Sequence, residues 1–386
     1  MACIFLKKTM LYHGHNLRIG VDASSIHEAQ SGVGNYTFYL LDELIKLRPQ
    51  DTFFLYTFRH ILALKHFSKY PNVILRQNAS LSISEALWSQ TTLALMCRKD
   101  KLHIFWGPTQ SIPLALHRST QTILTIHDFA YKLYPQTVSY IRGIYLRLFS
   151  SIFFKRASRL TTNSKGTALR LKELYNLSAH AIVPCPIKTS LELYDKESLN
   201  LWLQERNLTY NNYALTLGTL EPRKNLESTI TSYLFGLKKY GAKKMMPLVI
   251  IGGSGWKNRA LQKLINTACE KYPKNIRYLG YLPDNEVNMY LCGANKFIML
   301  SHYEGYGMPI AEARVCQTPV ICSPVPEMLE AAENDATAIT FGEAQEKLAE
   351  NFLSQTPHKK KQKIVTSYKT NVDLAQLLSK QITSFR

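Results

Sequence analysis

The amino-acid sequence predicts an α/β protein made of two doubly wound domains, each built on a parallel sheet. Short runs of apolar and β-branched residues alternate with segments of helical period, which is the pattern of successive βαβ units. This alternation occurs twice, before and after a polar stretch of mixed charge. The length of 386 residues also suits two domains of about 150 to 200 residues each.

Thirteen strands are predicted from the apolar runs. Those of the first half are Leu17–Ala23, Phe53–Phe58, Asn72–Arg76, Leu102–Trp106, Gln121–His127, Leu160–Asn163 and His180–Pro184. Those of the second half are Tyr213–Leu217, Pro247–Ile251, Ile276–Leu279, Lys296–Leu300, Pro319–Cys322 and Thr337–Thr340. Helices are expected between most of them, and such crossover connections predict parallel pairing.

The domain boundaries follow from these strands. Residues 1–16 precede the first strand and are predicted to be an N-terminal extension without a function of its own. The first domain is predicted to span residues 17–190, the linker 191–212 and the second domain 213–357. Residues 358–386 are predicted to form a C-terminal helix that returns toward the first domain.

Composition restricts the classes of function. Apolar residues make up 46% of the chain and charged residues 19%, so the protein is globular rather than disordered. The net charge of +19 indicates polyanionic partners, and residues 1–190 hold 23 basic and 9 acidic side chains. Seven scattered cysteines without C-x-x-C pairs favour a reducing cytoplasm over a disulfide framework or a zinc site. No apolar run has the length of a signal peptide or a spanning helix, so we expect a cytoplasmic protein.

The segment 301–312, Ser-His-Tyr-Glu-Gly-Tyr-Gly-Met-Pro-Ile-Ala-Glu, is the most informative stretch of the chain. Gly305 and Gly307 permit a tight turn, and backbone N–H groups there can face an anion or sugar oxygens. Glu304 is expected to end the strand and Glu312 to lie in the first helical turn. Both carboxylates could then line one mouth and accept hydrogen bonds from vicinal diols. The alternative is a helix start whose acids only favour the helix dipole.

Two cations follow the first strand of the second half. Arg223 and Lys224 are expected in a strand-to-helix loop at the same edge of the sheet, where two positive charges suit a diphosphate. The alternative is a solvated pair on the surface. The glycine turn Gly252–Gly255 follows the next strand and fits either a phosphate loop or a simple strand cap.

Together these segments resemble the retaining nucleotide-sugar glycosyltransferases of family 4, which have the GT-B fold of two Rossmann-like domains facing across a cleft. The likeness rests on the E-x7-E element from Glu304 to Glu312 and on the stretch Gly218–Asn225. Further short matches occur in the same order as in that family: Asp22, Ser31–Asn35, Ile126–Asp128, Asn163–Ser164, Leu279–Pro283 and Gln317–Ile321. The likeness is greatest to bacterial envelope-polysaccharide enzymes, many of them mannosyltransferases, so it implies lipopolysaccharide or polysaccharide synthesis.

The resemblance implies roles for four charged residues. Arg223 and Lys224 would bind the diphosphate of the donor, Glu304 would meet hydroxyls of the donor sugar, and Glu312 would bind the ribose diol. The donor is a nucleotide sugar, with GDP-mannose ahead of a UDP-hexose.

The resemblance also implies supporting roles. Backbone groups of Gly307–Met308 would assist at the sugar and phosphate, and a loop containing Gly32 and Gly34 would close over the phosphates. The strand end at Leu282 would present backbone groups to the base. His127 would lie by the sugar on the acceptor side; from the residues alone, it could equally be a satisfied histidine that ends a buried strand.

Glycosyl transfer builds positive charge on the sugar and negative charge on the departing diphosphate. Two cations with oriented backbone N–H groups can stabilise that leaving group, and no Asp-x-Asp motif occurs in the chain, so no metal is expected. The resemblance implies same-face transfer in which a diphosphate oxygen helps to deprotonate the acceptor, without a covalent intermediate.

The sequence Ser139–Ala157 combines large apolar residues with four cations. It has the composition of an interfacial helix that rests on an anionic membrane surface, at the inner face of the cell membrane. The alternative is a core helix whose cations reach water. The positive charge of the first half favours a lipid-linked or polysaccharide acceptor.

Two further classes of function are compatible with part of the sequence. The charge alone permits a nucleic-acid-binding protein, but no DNA- or RNA-binding motif is present, so nucleic acid is not an expected partner. A catalytically silent family member acting as a subunit is the other alternative. Against it, the charged residues at positions 223, 224, 304 and 312 are all intact.

Overall fold

The computed structural model describes residues 16–27, 32–77, 85–138, 140–188, 190–255, 258–340, 344–353 and 370–385. The chain divides into two compact units. The first unit comprises the described residues within Met1–Phe129, Tyr140–Pro186 and Lys369–Arg386. The second comprises those within Ala130–Ser139 and Ile187–Tyr368.

Each unit is built on one parallel sheet. The strands of the first are β1 (Arg18–Asp22), β2 (Thr52–Thr57), β3 (Val73–Gln77), β4 (Ile104–Gly107), β5 (Gln121–Ile126), β6 (Arg159–Thr162) and β7 (Ala181–Ile182). The strands of the second are β8 (Ala214–Leu217), β9 (Leu248–Ile251), β10 (Ile276–Tyr278), β11 (Lys296–Met299), β12 (Val320–Cys322) and β13 (Ala336–Ala338). Within the described residues, each of the thirteen strands lies within two residues of its predicted bounds, so the prediction of two α/β domains with parallel sheets is confirmed.

Helices connect most of these strands. They are α1 (Gly32–Leu47), α2 (Glu85–Gln90), α3 (Thr92–Lys99), α4 (Ala130–Leu133), α5 (Tyr140–Arg156), α6 (Lys165–Tyr175), α7 (Lys196–Glu205), α8 (Leu226–Tyr240), α9 (Arg259–Lys271), α10 (Asp284–Gly293), α11 (Met308–Val315), α12 (Pro326–Ala331), α13 (Ala344–Asn351) and α14 (Asn371–Thr383). Short 3-10 helices are Leu62–Lys69, Pro135–Thr137, Pro222–Lys224 and Ala242–Lys244. Within the ranges given above, no helix is both long enough and apolar enough to cross a membrane.

The strand order is the same in both sheets. The first runs β3-β2-β1-β4-β5-β6-β7 and the second β10-β9-β8-β11-β12-β13. In each, the direction of winding reverses next to the first strand, between β1 and β4 and between β8 and β11. Open parallel sheets bind ligands at this switch point, outside the carboxyl ends of the strands. The order therefore marks the end of β8 and β11 as the place for a site in the second unit.

Strand β9 of the second sheet is buried on both faces. Successive residues of β9 alternate between two apolar clusters, with Val249 and Ile251 in one and Leu248 and Ile250 in the other. Side chains of a strand point to opposite faces in turn, so a strand covered on both sides is apolar throughout. This explains why the strand could be recognised from a continuous apolar run.

The segment predicted to be a linker, residues 191–212, contains a helix of the second unit. Asp195 caps α7 by accepting a hydrogen bond from the backbone N–H of Ser198, at 2.8 Å. Leu199 and Leu203, one turn apart, are buried in the core of the unit. The linker prediction is wrong here because the polar residues are the exposed face of an amphipathic helix.

The C-terminal helix α14 contacts α1 and β7 within the first unit. A capping box begins it: Thr370 accepts a hydrogen bond from the backbone of Asp373, and the Asp373 carboxylate accepts one from the backbone of Thr370. Arg48 of the first unit donates a hydrogen bond to Ser379 at 3.1 Å. The basic run at residues 359–361 and the extension at residues 1–15 lie outside the described residues.

Candidate functional site

Two loops meet at the switch point of the second sheet. The loop after β8 contains the short helix Pro222–Lys224, and the loop after β11 leads through residues 301–307 to α11. The backbone N–H of His302 donates a hydrogen bond to the carbonyl oxygen of Arg223 at 2.9 Å. The backbone thus holds the two charged loops side by side.

Arg223, Lys224 and Glu304 form one ion-pair cluster at this point. The Lys224 ammonium donates to Oε1 of Glu304 at 2.8 Å, and Nη1 of Arg223 donates to Oε2 at 2.7 Å. Arg223 also donates to the backbone carbonyl of Tyr303 and to the carboxylate of Glu221. The side chains of both cations are 17% exposed and that of Glu304 is 8% exposed. The alternative of a solvated surface pair is therefore wrong.

The cluster keeps the Glu304 carboxyl ionised. Burial acts to raise its pKa, but the charges of Lys224 and Arg223 and the hydrogen bond from Lys224 outweigh burial and lower the pKa to about 2. Glu304 lies in the loop five residues beyond the end of β11, and not at the strand end as predicted. The loop reaches back to the cations because it carries no regular structure before Gly307.

The glycine turn after β9 supports the loop that carries the cations. Leu220 pairs with Ser254 in a parallel bridge, and its N–H donates to the carbonyl of Gly253 at 3.1 Å. A Cβ atom on Gly252 would lie 1.9 Å from the carbonyl oxygen of Gly218, so only glycine fits. The close backbone approach gives this turn a structural reason for its glycines.

Replacing Gly252 with Ala is expected to lower the free energy of unfolding by about 1–3 kcal/mol, because the methyl group must displace the backbone of Gly218. Chemical denaturation of the two proteins measures the difference. Gly253→Ala is the matched control, since its methyl group would make only an ordinary contact, 3.7 Å from Tyr281. Equal losses in both variants would contradict the packing argument.

Glu312 lies on α11, whose start is shaped by Gly307. Gly307 has φ of +101°, a left-handed conformation that suits glycine, and it is the N-cap of the helix that begins at Met308. Glu312 was predicted to lie in the first turn of the helix. It is the fifth residue of α11 and therefore lies just beyond that turn. It is buried, and burial raises the pKa of its carboxyl.

The partner of Glu312 is a lysine that the sequence did not single out. The Lys188 ammonium lies 3.5 Å from Oε1 of Glu312 and 2.7 Å from Oδ1 of Asp284, the first residue of α10. Glu304 thus pairs with Arg223 and Lys224, whereas Glu312 pairs with Lys188. The second unit brings together Arg223, Lys224 and Glu304, and separately Glu312, Lys188 and Asp284.

Leu282 lies in the turn between β10 and α10 and is half-buried. The strand ends at Tyr278, so Leu282 does not lie at a strand end as predicted. The chain leaves the strand early because Gly280 adopts a left-handed conformation with φ of +68°. Its carbonyl accepts a hydrogen bond from the N–H of Gly252 at 2.8 Å.

The first unit holds the remaining predicted site residues. His127 is buried after β5, and its Nε2 donates to the carbonyl oxygen of Pro108 at 2.6 Å, because a carbonyl can only accept. The ring of Tyr36 meets it edge-on at 4.7 Å. Gly32 and Gly34 belong to the first turn of α1 and not to a loop, since α1 begins at Gly32. The roles predicted for these residues stay predictions.

Sequence reasoning also missed an aromatic stack beside Glu304. Tyr134, in the 130–139 segment of the second unit, stacks on Tyr303 with ring centroids 5.7 Å apart, and on His302 at 6.3 Å. The segment follows Phe129 directly in the chain, so sequence order placed it in the first domain. No motif marks Tyr134 as part of this site.

His, Cys, Asp and Glu are the side chains that most often hold a metal ion in proteins. In the part of the chain that the structure describes, no three of them are grouped so as to hold a metal ion. That the site works without a metal stays a prediction.

Comparison with known proteins bears on the fold and on the second unit. Residues 203–371 match the family described as Glycosyl transferases group 1. O-antigen chain mannosyltransferase B of Escherichia coli is 31% identical over 253 residues, which are 63% of this chain and 65% of that protein. O-antigen chain mannosyltransferase RfbU of Salmonella typhimurium is 24% identical over 226 residues, 58% of this chain and 57% of that one. The chain thus spans less than two thirds of the length of these curated relatives.

A solved structure extends the comparison to the whole fold. The crystal structure of Anabaena Alr3699/HepE in complex with UDP and glucose superimposes with a TM-score of 0.69 at 15% identity, covering 96% of this chain and all of that one. Together with two doubly wound parallel sheets, this likeness assigns the chain to the GT-B fold class. The match of residues 203–371 to the group 1 glycosyltransferase family covers most of the second unit.

Proposed function

We propose that this protein is a glycosyltransferase that moves a hexose from a nucleotide sugar to a glycan acceptor in bacterial envelope synthesis. The observation that carries the proposal is the cluster of Arg223, Lys224 and Glu304 at the switch point of the second sheet. Two partly buried cations beside an ionised carboxylate suit a ligand that joins a diphosphate to a polyol. The group 1 domain and the mannosyltransferase names of the relatives support the same activity.

The cations have the chemistry to stabilise the leaving diphosphate. An ammonium group has three N–H donors, and the contact of Lys224 with Glu304 uses one of them. The guanidinium of Arg223 is held by Tyr303 and Glu221, so its charge is fixed in place before a donor binds. Preorganised charge of this kind needs no reorganisation when negative charge develops. Glu304, ionised at neutral pH, can accept hydrogen bonds from the hydroxyls of the sugar.

We assign the reaction to the retaining class. Sugar transfer passes through an oxocarbenium-like state. In a retaining reaction of this kind, a diphosphate oxygen on the departing face would take the acceptor proton. Proton NMR of the anomeric centre during the first turnovers tests this, with an axial product expected from an axial donor. Product of the opposite configuration would contradict retention.

GDP-mannose is the donor we favour, and a UDP-hexose is the second candidate. The mannosyltransferase names of the relatives support mannose. The test is release of nucleoside diphosphate by the purified protein against a panel of nucleotide sugars, with an envelope-glycan extract as acceptor. One donor turned over supports the proposal; no release, together with no thermal stabilisation by any nucleotide sugar, would overturn it.

The acceptor we propose is lipid-linked or polymeric, reached from the cytoplasmic face of the membrane. The six cysteines among the described residues are all unbridged, which suits a reducing compartment. Helix α5 supports attachment to lipid. Phe153 and Phe154 on one face are buried, whereas apolar side chains along another face are exposed: Ile141, Ile144, Leu148 and Ile152.

The spacing and charge of α5 indicate how it would bind. The four exposed apolar residues are separated by three, four and four positions, so they form one stripe along the helix. Arg147, Lys155 and Arg156 are exposed on the same helix, and no acidic residue occurs between residues 129 and 172. A stripe of this kind with cations suits an anionic lipid surface.

Replacing Leu148 with Glu is expected to lower binding to vesicles containing anionic phosphatidylglycerol about tenfold or more, because the change removes an inserted apolar side chain and adds a repelled charge. Co-sedimentation measures the bound fraction. Leu201→Glu is the matched control, since Leu201 on α7 is 62% exposed and Leu148 is 65% exposed. Equal binding by wild type and Leu148→Glu would contradict the proposal that α5 binds an anionic lipid surface.

A further inference from the structure

Lys188 is a largely buried lysine that has no role in the reaction proposed above. It is the second residue of the long segment Ile187–Tyr368 of the second unit, and its side chain is only 14% exposed. Its ammonium lies between the carboxylates of Asp284 and Glu312, at 2.7 Å and 3.5 Å. Burial acts to lower the pKa of Lys188, but the two carboxylates outweigh burial and raise it, so the ammonium stays charged.

The two contacts of Lys188 are unequal. Asp284 takes the short hydrogen bond, which fixes where the ammonium lies, while its own side chain is half exposed. Glu312 is almost fully buried and receives the longer ion pair through Oε1. An ammonium held by one carboxylate thus supplies charge to another without taking up the hydrogen-bonding capacity of both oxygens.

We propose that Lys188 is a positioning residue of the nucleoside site: it holds the buried Glu312 carboxylate ionised and oriented, so that Glu312 accepts hydrogen bonds from the ribose diol of a nucleoside diphosphate. This inference rests on the proposed function, in which Glu312 binds the ribose. Lys188 acts through Glu312 and contacts neither the sugar nor the diphosphate in this role.

The charged and titratable groups around Glu312 determine in which direction its pKa changes when Lys188 is replaced. Burial raises the pKa of Glu312, Lys188 lowers it, and Asp284 raises it. Cys316, which directly follows α11, is a neutral thiol whose own pKa is raised. Removing the ammonium leaves only influences that raise the pKa of Glu312. Protonation of Glu312 on acidification then begins at a higher pH, and a protonated carboxyl has one acceptor oxygen fewer for the diol.

The test is calorimetric titration of the full chain with GDP and with UDP at pH 8 and pH 6. For the nucleotide that binds wild type more tightly, Lys188→Met is expected to weaken affinity about tenfold more at pH 6 than at pH 8, relative to wild type. The titration of the nucleotide's own phosphate is common to both proteins and cancels. Lys188→Arg keeps the charge and is expected to restore the wild-type pH dependence.

The 2′,3′-dideoxy form of the same nucleotide tests whether the effect of Lys188 depends on the ribose diol. Because it lacks both hydroxyls, Lys188→Met is expected to cause no additional loss of its affinity at pH 6. Lys239→Met, which removes the ion pair with Glu346 on α13, is the control for loss of a lysine in the same unit. An equal loss with the dideoxy nucleotide, or no change in pH dependence, would overturn the inference. If neither GDP nor UDP binds wild type, both donors named in the proposed function fail, and this inference fails with them.

Discussion

Lys224→Ala is expected to lower turnover of the nucleotide sugar by roughly 10²- to 10³-fold, the usual loss when one preorganised donor to a developing anion is removed. Lys224 donates to Glu304 at 2.8 Å in a largely buried position, so its charge is directed at the site before a donor arrives. The loss should fall mainly on kcat, since negative charge on the diphosphate increases in the transition state. Nucleoside diphosphate release under saturating donor measures it.

Two comparisons make the result for Lys224 interpretable. Lys239→Ala removes a lysine of the same unit from an exposed ion pair with Glu346 and should leave turnover unchanged. Arg223→Ala should also reduce turnover, but it additionally removes the bond to the carbonyl of Tyr303 that ties the two loops together. Lys224 is therefore the cleaner probe. Turnover by Lys224→Ala within threefold of wild type would mean that the diphosphate lies elsewhere.

The central strands could be predicted from the sequence because a parallel strand covered on both faces requires a continuous apolar run. In β9, every residue from Leu248 to Ile251 is buried, and the run is visible without any structure. The helix α7 could have been predicted too. Asp195 in the N-cap position and Leu199 and Leu203 at a spacing of four are a helical signal, which the polar residues between them obscured.

For the two charged loops, the sequence predicted which charged residues follow the strands but not which of them form ion pairs. Arg223 and Glu304 are 81 positions apart, and their pairing depends on β8 lying next to β11 in the sheet. That neighbour relation follows from the doubly wound order, so the cluster was within reach of sequence reasoning. Lys188 was not, because it follows a proline-rich stretch and belongs to no strand, helix or motif. Its contact with Glu312 depends on the path of an irregular segment.

Glu304→Gln is expected to lower turnover about 10²-fold while tightening the binding of free nucleoside diphosphate. Glu304 competes with phosphate for Lys224 and Arg223, so neutralising it leaves both cations available to the diphosphate. Turnover falls because Gln places an amide donor in the site and loses the charge that accepts from the sugar. Steady-state release gives turnover, and calorimetric titration with GDP or UDP gives the affinity. Weaker nucleotide binding by Glu304→Gln would contradict the competition.

The same substitution should remove a pH-dependent part of the stability. The pKa of Glu304 falls from 4.5 to about 2 on folding, so its ionised form stabilises the fold fully above about pH 4.5, and this contribution is lost as pH falls toward 2. The shift corresponds to about 3 kcal/mol at neutral pH. Glu304→Gln should therefore unfold in urea with a free energy lower by about that amount at pH 7, and the difference should shrink between pH 4.5 and 3. Lys239→Ala should leave that pH dependence intact. A difference that stays constant with pH would mean that the variant weakens packing and not the ion-pair cluster.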